Sequence, residues 1–182
     1  MMFVGQCSAF GQQQPTLTPT PPPEASKLTE LPESVLNVEL KSATGGEFKL
    51  SSYKGYVVLI HLWATWCGPC RLETPELVKL QRTFESPGLR VIELSTENPD
   101  ASKSAVRDYM RIFGVKHQVG WVPKNVALTL MQSQGAIPQT FLIARDGRIL
   151  KRFIGFSRDS TPALMKRATE EALKTNEQIN QE

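Results

Sequence analysis

The sequence predicts an α/β protein with a mixed β-sheet and helices on both sheet faces, for three reasons. Apolar, partly β-branched runs at 57–63 and 89–94 have the length of strands that are buried on both faces. A segment with helical spacing of its apolar residues separates these two runs. Towards the carboxyl end, strand-like segments at 140–144 and 149–154 flank a turn at 145–147, which predicts an antiparallel hairpin.

The amino-terminal part of this domain is predicted to begin with a β-hairpin extension. Residues 35–40 and 48–50 alternate between apolar and polar side chains, and the glycine-containing segment 44–46 offers a turn between them. After the first buried strand, apolar side chains recur at helical spacing over 72–84. The Pro-Gly pair at 87–88 ends that helix.

Three further helices are predicted in the second half of the chain. Asn98 is a good N-cap, and Pro99 suits the first helical position, so a helix is predicted to run to about Phe113. A second helix is predicted at 124–132. The pair Thr-Pro at the start of 161–175 begins the last, amphipathic helix.

The chain divides into one domain with a tail at each end. Its 182 residues fit a single domain of the usual size, about 100–150 residues, plus tails. Residues 1–33 are predicted to be a disordered segment with a proline-rich linker, because clustered prolines favour extended conformations that bury no core. Residues 34–175 form the predicted folded domain, and 176–182 a carboxyl-terminal tail.

The first eleven residues allow three interpretations. Residues 9–11 have the small-x-small pattern of a signal-peptidase site, which favours the remnant of an export signal whose true start lies upstream of Met1. The positive n-region and full apolar h-region of a signal peptide are missing, so a disordered terminus without a targeting role is the alternative. A lipid anchor on Cys7, which would tether the domain to a membrane, is the third.

Composition argues against several classes of function. The formal net charge is only +3, and the basic residues are scattered among acidic ones, so we expect no nucleic-acid binding. No apolar run reaches the roughly 18–20 residues that a membrane-spanning helix needs. The chain has 3 cysteines and 2 histidines without two ligand pairs at zinc spacing, so we expect no metal site.

Cys67 and Cys70 are the candidate catalytic residues. They lie where a buried strand is predicted to end and a helix to begin, and the unpaired amides of a helix N-terminus stabilise an anion. Cys67 is therefore the expected nucleophile, as a thiolate, and Cys70 lies one helical turn deeper within disulfide reach. Pro69 fixes the backbone of the first turn, and Gly68 leaves the approach to Cys67 open.

This arrangement predicts thiol–disulfide exchange through a mixed disulfide. The Cys67 thiolate attacks a substrate disulfide, and Cys70 then attacks the Cys67 sulfur and releases the reduced substrate; the reverse reaction oxidises dithiols. The alternative interpretations of the pair are half of a zinc site or an inert disulfide. The redox-active disulfide itself would be the only redox group, with no separate cofactor. Cys7 has no predicted catalytic role.

Two segments resemble the thioredoxin superfamily. Residues 63–77 read WATWCGPCRLETPEL, which resembles the active-site segment of that superfamily and is most similar to its exported TlpA/ResA-like branch. Residues 135–143 read GAIPQTFLI, which resembles the cis-proline strand of the family. The resemblance covers roughly residues 34–175. It implies a thioredoxin-like three-layer α/β/α fold and an extracytoplasmic disulfide reductase, often one that serves cytochrome c maturation.

The resemblance also implies where a substrate binds. The Ile137–Pro138 bond is expected to be cis, which costs little before proline. A cis bond would turn the Ile137 backbone towards the sulfurs, where it can pair with an extended substrate segment. Trp66 is expected to cover the surface beside Cys67. Together with Gly68 and Pro69, these residues are the predicted substrate-binding set.

Glu73 and His61 are the remaining candidate catalytic residues. By resemblance, Glu73 tunes the thiols and assists proton transfer in this branch; the alternative is an ordinary solvated helical glutamate. His61 departs from the family, since many thioredoxins have a buried aspartate there and TlpA-like proteins often have asparagine. A buried imidazole beneath Cys70 could accept its proton. A neutral, hydrogen-bonded core histidine is the alternative.

The sequence therefore predicts an extracytoplasmic disulfide reductase that acts on protein disulfides. Its expected partners are protein dithiol or disulfide substrates and a membrane or soluble electron donor, and it is expected to be a monomer. A general disulfide oxidase or isomerase, a thioredoxin-fold client-binding module and a peroxidase are the alternatives. The Gly68-Pro69 dipeptide matches reducing thioredoxins, which favours reduction.

Overall fold

The computed structural model describes Met1 and residues 29–132 and 134–175. The predictions made for Cys7, for most of the proline-rich segment and for the tail at 176–182 lie outside the described residues.

The elements follow the order expected for an α/β protein. A short 3-10 helix at Leu50–Tyr53 precedes the first long strand. The helices are α1 (Glu33–Leu36), α2 (Gly68–Phe84), α3 (Pro99–Phe113), α4 (Lys124–Met131) and α5 (Thr161–Lys174). The strands are β1 (Leu40–Lys41), β2 (Glu47–Phe48), β3 (Val57–Trp63), β4 (Leu89–Ser95), β5 (Gln118–Trp121), β6 (Gln139–Ile143) and β7 (Ile149–Ile154).

The central sheet is mixed, as the sequence predicts. In the described part of the chain it has five strands in the order β5-β4-β3-β6-β7, and β3, β4 and β5 run parallel to one another. β6 is antiparallel to both of its neighbours, β3 and β7. The helices α2 and α3 connect the parallel strands, because parallel neighbours need a long crossover connection.

Helices cover both faces of this sheet. Val58 and Ile60 of β3 belong to one apolar cluster with α1 and α4, whereas Val57 and Leu59 belong to another with α2 and α5. Trp63, at the end of the same strand, packs with α3 residues on the second face. Successive side chains of a strand point to opposite faces, so a strand buried on both sides must be apolar throughout. The predicted three-layer α/β/α arrangement is confirmed.

The amino-terminal extension differs from its prediction. The alternating segment 35–40 was expected to be a strand, but its first residues belong to α1, and the hairpin contains only β1 and β2. The Pro32 carbonyl accepts hydrogen bonds from the Val35 and Leu36 amides, which closes a helical turn. Val35 is still buried, because one apolar residue can face a core from a short helix as well as from a strand.

Residues just before Ser34 also contact the domain. The Ile149 amide donates a hydrogen bond of 2.8 Å to the Thr29 carbonyl, and Glu30 forms an isolated bridge with Arg148. Leu31 is buried in the cluster that covers the α4 face. The carboxyl-terminal hairpin β6–β7 is thereby joined to the chain segment that enters the domain.

The hairpin β1–β2 packs closely on Gly120 of β5. The Ala43 amide donates to the Val119 carbonyl at 2.9 Å, and Ser42 forms an isolated bridge with Gly120. A β-carbon on Gly120 would lie 2.5 Å from the Lys41 carbonyl oxygen and 2.7 Å from the Phe48 ring. Backbone therefore approaches backbone at a distance that only glycine permits.

The change Gly120→Ala is expected to lower the free energy of unfolding by about 1–3 kcal/mol, because the hairpin must move away from β5. Urea unfolding would measure this loss. Gly135→Ala is the matched control, since a β-carbon there meets no atom within 4 Å of it among the described residues. Equal unfolding free energies for the two variants would contradict the expected clash.

Candidate active site

Cys67 occupies the N-cap of α2, immediately after the loop that follows β3. Its Sγ accepts a hydrogen bond from the Cys70 amide at 3.3 Å. The two cysteines are joined in a disulfide, with their Cα atoms 5.3 Å apart. Cys67 is 4% exposed and Cys70 is fully buried, so a reagent meets Cys67 first. The amide donor and the helix N-terminus both stabilise negative charge on Cys67 when the pair is reduced.

The residues just before β6 pack on the apolar cluster that contains this pair. The Ile137–Pro138 peptide bond is cis. Ile137 is half-buried and packs against the apolar cluster that contains both cysteines, and Pro138 is buried. The Gly155 amide, after β7, donates to the Pro138 carbonyl at 2.9 Å. The predicted substrate-binding residue Ile137 thus packs on the same apolar cluster as the two cysteines, although it is remote from them in sequence.

The segment before Pro138 is held by a buried amide. The Gln139 side chain donates to the Gln134 and Ala136 carbonyls at 2.9 and 2.8 Å, and its Oε1 accepts two hydrogen bonds from the Arg152 guanidinium. Arg152 also donates to the Met131 carbonyl at 2.7 Å. These bonds connect the end of α4, the segment before Pro138 and β7. Sequence reasoning did not identify this support for Ile137.

Trp66 is a highly exposed aromatic residue of the active-site segment. It is 72% exposed, a large fraction for an indole, whereas Trp63 is fully buried and packs on Tyr109 with ring centroids 4.1 Å apart. The backbone just before Trp66 is fixed, because Thr65 donates from its amide and its hydroxyl to Glu97. An exposed aromatic side chain on a well-held backbone next to Cys67 suits contact with another protein.

His61 and Glu73 lie close together in the core, and Glu73 is on the helix that carries Cys70. His61 on β3 is fully buried, and Glu73 on α2 is 1% exposed, so the alternative of a solvated helical glutamate is excluded. His61 Nε2 lies 4.0 Å from Glu73 Oε2. The Thr140 hydroxyl donates to Glu73 Oε1 at 2.5 Å. Glu73 follows Cys70 by three residues, which places both on one helix face.

Two further ionisable residues complete this group, and sequence reasoning missed both. Glu93 on β4 is fully buried, and its Oε2 lies 3.6 Å from His61 Nδ1. His117 Nε2 lies 2.9 Å from Glu93 Oε1. The signal available in the sequence was one carboxylate within the otherwise apolar strand 89–94, since buried carboxylates need a partner. His117 gave no such signal, because it lies in an ambiguous segment.

Burial and mutual charge together set the proton affinities of this group. Burial raises the pKa of Glu73, although the charge of His61 and the bond from Thr140 oppose the rise. Burial acts to lower the pKa of His61, but Glu73 and Glu93 outweigh it and raise that pKa. Burial also acts to raise the pKa of Glu93, but the hydrogen bond from His117 and the contact with His61 lower it to about 2.

Hydroxyl groups connect the carboxylates to the helix that carries the cysteines. The Thr74 and Tyr109 hydroxyls are 2.6 Å apart, so one of them donates to the other, and they lie 3.2 and 3.3 Å from the Cys70 carbonyl oxygen. The Thr74 hydroxyl also lies 3.5 Å from Glu93 Oε2. The buried polar group therefore extends from His117, just before β5, to the first turn of α2.

Two other kinds of feature are absent from the part of the chain that the structure describes. In residues 29–132 and 134–175, no group of three or more histidine, cysteine, aspartate or glutamate side chains is placed to hold a metal ion. Within the same ranges, no helix combines the length and the hydropathy of a membrane span.

The fold and the position of the disulfide are those of thioredoxin-like proteins. A crystal structure from Chlorobium tepidum, described as thiol:disulfide interchange protein DsbE, superposes with a TM-score of 0.68 and 26% sequence identity. The match covers 80% of this chain and 96% of that one. The thioredoxin-like fold predicted from the sequence is therefore confirmed.

Sequence comparison identifies the family. Residues 32–152 match the AhpC/TSA family. The thiol–disulfide oxidoreductase ResA of Bacillus subtilis (strain 168) is 31% identical over 124 residues, which cover 68% of this chain and 67% of the relative. The ResA of Bacillus cereus (strain ZK / E33L) is 29% identical over 119 residues, 65% of this chain and 66% of the relative. The matched segment thus spans about two thirds of the length of these relatives. The chain belongs to the AhpC/TSA family, among its thioredoxin-fold thiol–disulfide oxidoreductases.

Proposed function

We propose that this protein is a disulfide reductase that acts on other proteins through a mixed disulfide with Cys67. The observation that carries the proposal is the position of Cys67: its sulfur caps α2, is bonded to Cys70 and is the more accessible of the two. The relatives named as thiol–disulfide oxidoreductases support the same reaction class.

The proposed reaction balances two electrons and two protons. The Cys67 thiolate attacks one sulfur of a client disulfide, which breaks that bond and releases the other client sulfur as a thiolate. Cys70 then loses its proton and attacks the Cys67 sulfur, which restores the Cys67–Cys70 disulfide and releases the second client thiolate. The client has gained two electrons, takes up two protons and leaves as a dithiol. An external dithiol donor reduces the pair again by the reverse exchange.

We assign client binding to the surface around Cys67. Trp66 offers an exposed aromatic face, and Gly68 and Pro69 are exposed beside it. Ile137 packs on the apolar cluster that contains both cysteines, directly before the buried Pro138, and can offer its backbone to an extended client segment. Gln139 supports that segment through its two hydrogen bonds to backbone carbonyls.

We assign proton transfer to Glu73. Its carboxylate is buried on the same helix face as Cys70, and one of its oxygens, Oε2, makes no hydrogen bond with any described residue. That oxygen is free to accept the proton that Cys70 must lose before it attacks Cys67. His61 is within 4.0 Å of the same oxygen and favours its ionised form.

We further propose that the protein works outside the cytoplasm and that its clients include the cysteine pairs of apocytochromes c. Similarity to the exported TlpA/ResA-like branch in residues 63–77 supports both statements. Cell fractionation combined with amino-terminal sequencing tests the location. A cytosolic protein with a mature start at Met1 would contradict it.

The variant Cys70→Ser is expected to accumulate a mixed disulfide between Cys67 and its clients, because the sulfur that resolves the intermediate is missing. Non-reducing electrophoresis of the purified variant with oxidised insulin, and of extracts of the native host, would show the adduct. The double variant Cys67→Ser, Cys70→Ser is the control and should form none. Failure of the single variant to capture insulin would contradict the mechanism.

The reduction potential of the wild-type pair decides the direction of the reaction. We expect a value near that of thioredoxin, about −270 mV, because the Gly68-Pro69 dipeptide is the one found in reducing thioredoxins. Equilibration with glutathione buffers of known ratio measures it. A potential near that of strong oxidases, about −120 mV, would contradict a reductase.

A further inference from the structure

The two ring nitrogens of His61 both face carboxylate oxygens. Nδ1 lies 3.6 Å from Glu93 Oε2 and Nε2 lies 4.0 Å from Glu73 Oε2, and the ring is fully buried between them. Among the described residues, neither nitrogen makes a hydrogen bond. A neutral imidazole carries a proton on one nitrogen and a lone pair on the other, so one carboxylate would face a lone pair. Only the imidazolium presents an N–H to both.

Glu93 is held in place from the opposite side. Its own carboxylate is ionised, because its pKa is lowered to about 2, and an ionised carboxylate only accepts hydrogen bonds. His117 Nε2 is therefore the donor of the 2.9 Å bond to Glu93 Oε1. The His117 side chain is only 3% exposed, so water competes little for this bond. One oxygen of Glu93 is thus occupied by His117, and the other points to His61.

We propose that Glu93 and His117 are positioning residues that hold His61 as an imidazolium, whose charge keeps Glu73 ionised and able to accept the Cys70 proton. This inference rests on the proposed function, since the step concerned is the attack of Cys70 on the mixed disulfide. It adds two residues to the machinery around the cysteine pair, Glu93 of β4 and His117, which lies just before β5.

Several elements pack around His61. Of the titratable and charged groups on or beside these elements, the ones that interact within this buried group are Arg71 and Glu73 of α2, Glu93 of β4, Tyr109 of α3 and His117, which lies just before β5. The neighbouring β6 contributes the uncharged Thr140. The helix α5, described over its full length, buries only threonine, methionine, alanine and leucine side chains. Arg71 is exposed and lies over the Tyr109 ring at 5.7 Å.

Glu93 has two opposite effects on Glu73. Its negative charge repels Glu73 and raises the pKa of Glu73, but the attraction of His61 for Glu73 is the larger effect. Burial acts to lower the pKa of His61, so His61 without Glu93 would have only one counter-ion to oppose desolvation. Loss of Glu93 should therefore neutralise His61, and Glu73 should then stay protonated to higher pH.

The charge of His61 can be measured by NMR without any assay of activity. The chain has 2 histidines, so the variant His117→Gln assigns both ring signals. In the wild type, His61 should keep imidazolium chemical shifts through about pH 7, above the usual histidine pKa of about 6.5. In Glu93→Gln, His61 should show the chemical shifts of a neutral ring at that pH. In His117→Gln, the titration of His61 should move in the same direction, towards lower pH. A neutral His61 in the wild type, or an unchanged titration in both variants, would overturn the inference.

The consequence for Cys70 can be measured as disulfide closure with oxidised glutathione. Reduced protein forms a Cys67–glutathione mixed disulfide, which Cys70 closes, and tryptophan fluorescence reports the closure. We expect Glu93→Gln to close about tenfold more slowly near pH 6 and to approach the wild-type rate at alkaline pH. A closure rate with the wild-type pH dependence would count against the inference.

A matched control separates charge from stability. Leu94→Ala changes the next residue of β4, which is buried on the opposite face of the sheet, and should destabilise the fold by leaving a cavity, without removing a charge. Its pH profile should equal that of the wild type, and an equal shift in this control would overturn the inference. If wild-type Cys67 forms no adduct with glutathione, the proposed function fails, whereas the NMR titration still decides the charge of His61.

Discussion

Replacement of Cys67 by serine is expected to lower the rate of disulfide reduction by roughly a thousandfold or more, which corresponds to at least about 4 kcal/mol of transition-state stabilisation. A serine hydroxyl at the N-cap of α2 would still accept the Cys70 amide, so the fold should persist. The hydroxyl is not ionised near neutral pH and forms no disulfide. Cys70 cannot replace Cys67, because Cys70 is fully buried. Insulin reduction with dithiothreitol as the electron source measures the rate.

The third cysteine provides the control for this experiment. Cys7→Ser should retain the wild-type rate, since Cys7 has no part in the proposed reaction. Alkylation of the reduced proteins adds a second measurement: Cys67 should react quickly in the wild type, and Cys70 should react slowly in Cys67→Ser. A Cys67→Ser variant that is still active, or in which Cys70 alkylates as fast as Cys67 does, would contradict the assigned roles.

Replacement of Glu93 by glutamine is expected to lower the free energy of unfolding by about 3–5 kcal/mol. The amide has the shape of the carboxylate but no charge, so His61 loses a counter-ion and His117 loses a strong acceptor in a fully buried site. For a domain of this length, each kcal/mol lost lowers the melting temperature by roughly 2–4 °C. Calorimetry and urea unfolding at neutral pH measure both quantities.

The difference between wild type and Glu93→Gln should narrow at both ends of the pH range. The pKa of Glu93 is about 2 when folded and 4.5 in a free glutamate, so its stabilisation is complete above 4.5 and is lost as the pH falls towards 2. The pKa of His61 is raised above 6.5, so its stabilisation is complete below 6.5 and is lost as the pH rises through its folded-state value. Unfolding free energies measured at several pH values test both the loss at acid pH and the loss at higher pH.

An exposed glutamate supplies the comparison for this variant. Glu47→Gln, on the exposed face of β2, should change stability by less than about 0.5 kcal/mol at every pH. A loss of stability in Glu93→Gln as small as in Glu47→Gln would contradict the assigned buried ion pair. A loss that does not vary with pH would contradict its ionic character.

Local sequence was sufficient for the architecture and for the cysteine pair. The continuous apolar runs of β3 and β4 are a consequence of burial on both faces, which any parallel sheet between helices requires. The position of Cys67 and Cys70 could be predicted because strand end, proline and helix start are neighbours in sequence. The segment 35–40 was misassigned at its start, since a run of six residues shows too few periods to separate a helical turn from a strand.

Other features depend on contacts between residues remote in sequence, and only the tertiary structure decided them. His61 lies directly opposite Glu93 in the β3–β4 register and opposite Thr140 in the β3–β6 register. A shift of either strand by one residue would turn these side chains to the other face. The register is set by packing of the whole sheet. A sequence shows that Glu93 must find a partner, because isolated buried charge is too costly, but it does not show that the partners are His61 and His117.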